Sequence, residues 1–273
     1  MEHAVKFERN SFGKRLKSML KVDFKRMAKS RLFYILIACA LLVPVVMTVM
    51  LTMMDGSVSV NPQTGEETVM EGPTSAWQSI GTLPTEDGAA AMGSMDVMAM
   101  CNINMAFMGV CVFVCLFISD DFRSGYAKNL FTVRAKKSEY VISKTLSGFV
   151  CGALMLIAYF LGALVGGAVS GLSFALVGGM TVLNLILCLV AKIFLMSVFV
   201  SIFVAISVAA KQKAWLSICG SLGGGMLLFM MVGLITPLTS TVLNVFLCLA
   251  GGALFAFGLG AISNMILKKS SLV

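Results

Sequence analysis

Apolar positions along this chain gather into long unbroken runs, separated by polar stretches of very uneven length. The runs are Phe33 to Met54, Val97 to Ser119, Thr145 to Val169, Val182 to Ala210, Trp215 to Ile235 and Val242 to Leu267. A helix rises about 1.5 Å per residue, so a hydrocarbon core of about 30 Å takes about 20 residues. All six runs are long enough, and only Lys192 puts a charge well inside one of them. No run alternates over the roughly ten residues that a barrel strand needs. Helices satisfy their own backbone hydrogen bonds where water is absent. The pattern therefore predicts an all-α polytopic membrane protein with six transmembrane helices in a single transmembrane domain, residues 1–273.

Two polar stretches have a helical period of their own. Before the first run, Phe12, Leu16, Met19, Leu20, Phe24 and Met27 recur at spacings of three and four. Lys14, Arg15, Lys17, Lys21, Lys25 and Arg26 fill most of the positions between them. That spacing predicts an interfacial amphipathic helix over 11–31, with its apolar side in the acyl region and its lysines on phosphates. Between the second and third runs lies DDFRSGYAKNLFTVRAKKSEYVISK, residues 120–144. There Phe122, Tyr126, Leu130 and Val133 share one helical face, and polar chain follows with Arg134, Lys136 and Lys137. A hairpin between helices needs only about two to eight residues. The excess length predicts a helical projection that receives a soluble partner, although a basic loop that merely fixes topology would also read this way.

Composition agrees with the pattern. Of 273 residues, 58% are hydrophobic, the mean hydropathy is +0.94 and 12% are charged. Soluble domains carry roughly 25% charged residues, so that class is excluded. Of 21 Lys and Arg, ten precede Phe33 and six lie from Arg123 to Lys144; Lys211, Lys213, Lys268 and Lys269 stand on the same side of a six-span chain. The loop 55–96 holds Asp55, Glu66, Glu67, Glu71, Glu86, Asp87 and Asp96 and no basic residue. Basic residues near span ends mark the cytoplasmic face. The expectation is a multi-pass protein of the cell membrane with both termini cytoplasmic, an extracellular acidic loop, and a first span retained as its own anchor. The net charge of +8 then reflects topology and anionic lipid, not nucleic acid.

Candidate chemistry is sparse. All eight cysteines fall in the runs, where Cys behaves as a small apolar residue, so neither a disulfide framework nor a metal site is expected. Small residues four apart, Gly148 with Gly152, Gly220 with Gly224, and Gly252 with Ala256 and Gly260, predict close helix packing. Pro44 removes one backbone donor from the first span and predicts a kink. Lys192 is a functional candidate because an intramembrane lysine costs roughly 2.5 to 3.5 kcal/mol. A snorkelling position near the interface is the competing reading. With Asn102 and Asn104 it marks a possible translocation path, and nearby Met95, Met98, Met100, Met105 and Met108 fit a permissive wall better than a copper site. The one histidine is His3, and the phosphate-binding GxxxxGK[ST] is absent. The chain is expected not to be an enzyme and to hold no cofactor of its own.

The segment D-D-F-R-S-G-Y-A-K-N-L, Asp120 to Leu130, followed by S-E-Y-V-I-S-K, Ser138 to Lys144, resembles the cytoplasmic segment between spans two and three in permease subunits of type 2 ABC exporters from Gram-positive bacteria. Asp121, Gly125, Arg134, Tyr140, Ser143 and Lys144 match that family's pattern of an acid four before a glycine, a helix, a basic turn and a Ser-Lys lead-in. Tyr126 departs from the small hydroxyl residue often found there, and Ala135-Lys136-Lys137 from a Pro-x-x-Arg turn. The resemblance implies six spans, inward termini, an elbow helix before span one, and a coupling helix. It also implies partners: a cytoplasmic ABC ATPase that binds Mg-ATP, and a second permease copy or sister permease. On that reading Asp121, Phe122, Arg123, Gly125, Tyr126 and Leu130 form the ATPase contact, and amphipathic or hydrophobic peptides, drugs or lipids leave by alternating access. The acidic outer loop would favour cationic ones. A stand-alone immunity or sensor protein without ATP coupling is the alternative from another class. A secondary transporter fits less well, because neither inverted repeats nor paired intramembrane charges are visible.

Overall fold

A computed structural model describes residues 12–60, 67–69, 72–81, 102–133, 136–176 and 180–269. The described residues are helical almost throughout. Helix α1 spans Phe12–Lys29, α2 Arg31–Met53, α3 Met105–Arg123, α4 Tyr126–Val133, α5 Lys137–Val169, α6 Val182–Ala210, α7 Ala214–Ile235 and α8 Val242–Lys269. Between α2 and α3, strands β1 (Val58–Val60) and β2 (Glu67–Val69) form a small antiparallel ribbon, and a 3-10 turn covers Ala76–Ser79. Helices α2, α3, α5, α6 and α8 are each long and apolar enough to cross a membrane. Helix α7 bends by 46° between Ala214–Met226 and Leu228–Ile235, and counts as a sixth crossing if both halves form one span. This is an all-α polytopic membrane protein.

Small residues set the helix contacts, as their spacing predicts. A Cβ on Gly148 or Gly152 would run into Val200 or Met196 of α6, and one on Gly220 or Gly224 would meet Ile206. Gly252 of α8 lies against Ser197 and the Phe194 carbonyl, so three neighbours reach α6 through glycine. Gly260 meets nothing within 4 Å and takes no part. Pro44 stays inside an unbroken α2, and its ring abuts Gly162 of α5, where a side chain would collide with the Leu41 carbonyl.

Helix α1 lies against α5 with Met19, Asp23 and Met27 buried, while Phe12 remains about half exposed. The predicted apolar face thus carries an acid at its centre.

Two expectations change in the polar segment. Phe122 does not begin the short helix but belongs to α3. The Ser124 hydroxyl bonds the Asp120 carbonyl, and Gly125 takes a φ of +73°, a left-handed conformation that ends α3 before α4 starts. The stretch leading into the third span is not extended polar chain. It is the opening of α5, whose 33 residues make about 50 Å of helix, well beyond a bilayer's apolar thickness. The second span starts at Met105; the residues expected before it, 97–101, lie outside the described residues, as do Arg134, the cluster Met95, Met98 and Met100, and most of the acidic loop.

At the end opposite the basic residues, the 3-10 turn dips into the bundle. Ile80 packs with Ala163, Met180, Leu185, Cys188 and Leu238. The Ile103 amide donates to the Ser79 carbonyl at 2.9 Å, and Trp77 Nε1 donates to the Phe174 carbonyl at 3.2 Å. Residues 76–80 of the loop thus pack onto that end of the bundle.

Candidate functional site: two buried lysines

The basic end holds a compact charge network contributed by α1, α3 and α5. Lys144 Nζ lies 2.7 Å from Asp23 Oδ1 and 2.7 Å from Asp121 Oδ2. Arg26 Nη2 reaches Asp121 Oδ1 at 2.6 Å, and Arg26 Nη1 stands 3.8 Å from Asp23 Oδ1. The Tyr140 hydroxyl donates to Asp121 Oδ2 at 3.0 Å, and the Ser143 hydroxyl to Asp23 Oδ2 at 2.6 Å. Two carboxylates and two cations sum to zero charge, and Asp23, Asp121 and Lys144 are all fully buried. Aromatic faces complete the cage. Lys144 Nζ sits 3.9 Å from the centre of the Phe117 ring, and the Arg26 guanidinium 4.3 Å from that of Tyr126. One turn away, Arg15 adds Nε at 3.0 Å and Nη2 at 2.8 Å to Oε1 of buried Glu139.

The electrostatics follow from this packing. Burial pulls the Arg26 guanidinium down, but the facing carboxylates of Asp121 and Asp23 outweigh it, so its pKa is raised. Burial also raises the Tyr126 phenol, aided by Asp23 and Asp121 and opposed by Arg26. The cluster fastens α1, α3, α4 and α5 to one another.

The residues expected to meet an ATPase divide. Asp121 and Phe122 point inward, with Phe122 edge-on to Tyr140 at 6.3 Å between ring centres, so neither side chain is open to a partner in this conformation. Arg123 is exposed, Gly125 and Tyr126 are half-buried, and Leu130 packs part-buried against the core. Lys128, Asn129 and Thr132 add to the exposed side of α4. Four positions that carry the family resemblance, Asp121, Tyr140, Ser143 and Lys144, converge on the one network. Sequence reasoning missed Asp23, Arg26 and the Arg15–Glu139 pair. Their signal was available, since Asp23 is the only acid in α1 and falls on its apolar stripe between Met19 and Met27.

The second lysine lies at the opposite end. Lys192 is 0% exposed, which removes the snorkelling reading. Its Nζ donates to Asn104 Oδ1 at 2.9 Å and to Thr236 Oγ1 at 3.0 Å. The Thr236 hydroxyl donates in turn to the Val232 carbonyl at 2.7 Å, and the Asn104 amide to Asn102 Oδ1 at 2.9 Å. The structure therefore joins all three residues expected along a path, Asn102, Asn104 and Lys192, and adds Thr236. No acidic residue pairs with Lys192 among the described residues.

No family model matches the chain, and neither a curated protein nor a solved structure aligns with it significantly. What the fold and the site define is therefore a class: a multi-pass helical membrane protein with a neutral charge network at its basic end and, at the other, a buried cation with no acidic partner among the described residues.

Proposed function

We propose that this chain is the membrane-spanning permease subunit of an ATP-driven exporter of the ABC type. A separate ATPase would bind Mg-ATP at the basic end, which this reading places in the cytoplasm of a bacterial cell, and a second permease copy or sister permease would complete the pore. The observation that carries the proposal is the attachment of α4. It is a short helix outside the spans, held through Gly125 to α3, and Tyr126 at its first position lies under the Arg26 guanidinium of α1. Its other side, with Lys128, Asn129 and Thr132, is exposed.

A push on α4 reaches α1, α3 and α5 together, because the ion pairs among Asp23, Arg26, Asp121 and Lys144 leave them little freedom to move singly. A connecting loop with no task beyond topology needs no such clamp. The convergence of Asp121, Tyr140, Ser143 and Lys144 adds support, since the resemblance rests on those residues.

The test is purification of the tagged, full-length protein from its native membranes. The expected result is co-purification of a polypeptide bearing GxxxxGK[ST] together with Mg-ATPase activity, both lost in Arg123→Glu and Lys128→Glu while helicity stays unchanged. These exposed positions are the right ones, because Phe122→Asp would bury a carboxylate and damage the fold instead. A protein that inserts normally yet carries no ATPase would favour the stand-alone immunity or sensor reading.

A further inference from the structure

We infer that Lys192 is the recognition group for the anionic head of an amphiphile, and that the cleft between α3, α6 and α7 receives its apolar tail. The inference rests on the export reading and narrows its substrate class. Three observations carry it. First, Lys192 is fully buried, ten residues or about 15 Å into α6, and its acceptors are an amide oxygen and a hydroxyl oxygen. Both are neutral. A buried ammonium is strongly favoured only with a counter-charge, as the twin carboxylates of Lys144 illustrate in this same bundle.

Second, the Thr236 hydroxyl proton goes to the Val232 carbonyl, and the Asn104 backbone N–H is held by Asn102 Oδ1. An ammonium has three donors, and two have protein acceptors here. Third, a shallow, open-sided cleft lies on the same three helices, lined by Phe107, Met108, Phe199, Gly225, Met226 and Phe229 among others. Phe199 is seven residues from Lys192, and Phe229 seven from Thr236. That spacing sets the cleft about two helical turns, or about 10 Å, from the amine. The amine and the cleft thus offer a single molecule a charged end and an apolar end.

The shared chemistry is a single anionic head, carboxylate or phosphate monoester, on an unbranched apolar chain. Its sign is opposite to what the acidic outer loop alone would favour.

The experiment measures saturable binding of tritiated palmitate to the full-length protein in phosphatidylcholine nanodiscs, with empty nanodiscs subtracted. Competitors are dodecanoate, dodecyl phosphate, dodecanol and dodecyltrimethylammonium. Competition by either anion at least tenfold better than by the neutral and cationic compounds supports the inference, and the better anion identifies the head group. Lys192→Met should weaken palmitate binding at least tenfold. Asn104→Asp, which supplies an internal counter-charge without removing the amine, should do the same. Gly225→Leu should weaken it by blocking the tail. Binding unchanged in Lys192→Met and Asn104→Asp, or equal competition by dodecanol and dodecanoate, overturns it. No ATPase enters the assay, so failure here leaves the export reading untouched, and a missing ATPase partner leaves this binding result intact.

Discussion

Lys144 and Lys192 stand at opposite ends of one bundle, each with no more than 1% of its surface exposed, yet in contrasting company. Lys144 meets two carboxylates and an aromatic face. Lys192 meets one amide and one hydroxyl. Burial alone therefore does not say what a membrane lysine is for; the sign and number of its partners do. A cation whose charge is cancelled within the chain fastens helices. A cation left uncancelled holds its attraction for something that arrives.

The sharpest way to break the comparison is to remove each amine in turn. Lys144→Met should destabilise the protein by about 3–5 kcal/mol, because Asp23 and Asp121 would stay buried facing each other with Arg26 as their only cation. Thermal unfolding in detergent would read the loss. Adding Asp23→Asn to Lys144→Met should recover most of it, since the remaining Arg26–Asp121 pair is then neutral. If Lys144→Met unfolds no earlier than the parent, the network is not what binds α1 to α5.

Arg15→Met should have the next largest effect, about 1–2 kcal/mol. It strands one buried carboxylate, Glu139, but Arg15 is itself 27% exposed, so water offsets part of the pair's attraction in the parent protein. The same unfolding measurement applies. A loss as large as that of Lys144→Met would place Arg15 inside the network instead of beside it.

Lys192→Met should change stability by less than about 1 kcal/mol. Asn104 and Thr236 each lose a donor, which costs about as much as releasing an uncompensated charge from the interior returns. Asn104→Asp should raise the unfolding temperature by creating the ion pair that Lys144 already has. A fall in Lys192→Met comparable to the Lys144→Met loss would reveal a counter-charge and cancel the contrast between the two ends.

Much of the fold was legible because membrane helices announce themselves by length, and the runs containing Phe33, Val182, Trp215 and Val242 each became a helix close to the expected bounds, while the helix of the Thr145 run begins earlier, at Lys137. Helix packing was legible wherever glycine allowed close approach, as at Gly148, Gly152 and Gly252. The site was only half legible. Lys192 stood out as a charge in an apolar run, and Asn102 and Asn104 were suspected beside it, but Thr236 was invisible because nothing local ties residue 236 to residue 192. Asp23 went unnoticed for a related reason. A period-based reading sorts residues into apolar and polar faces, and a single acid on the apolar face registers as noise until the helix opposite supplies Lys144. Gly125 was legible as a motif position but not as a helix breaker, which is why Phe122 and Tyr126 were read as one helix although they face different neighbours.

The smallest expected effect concerns the rim of the network, where Tyr126 connects α4 to Arg26. Burial raises the phenol's pKa, so the folded state favours its neutral form more than the unfolded chain does. The linked stability is then fully present below about pH 10, the ordinary tyrosine value, and is lost as pH rises through the higher folded value. Tyr126→Phe keeps a ring under the guanidinium and removes the titration. It should match the parent near pH 7 and lose less stability between about pH 10 and pH 11, read as the difference between the two proteins so that lysine titration cancels. Parallel alkaline profiles would mean that Tyr126 is not buried against the network in solution. The link from α4 to the charge network, on which any transmitted push depends, would then have to run through Asp121 alone.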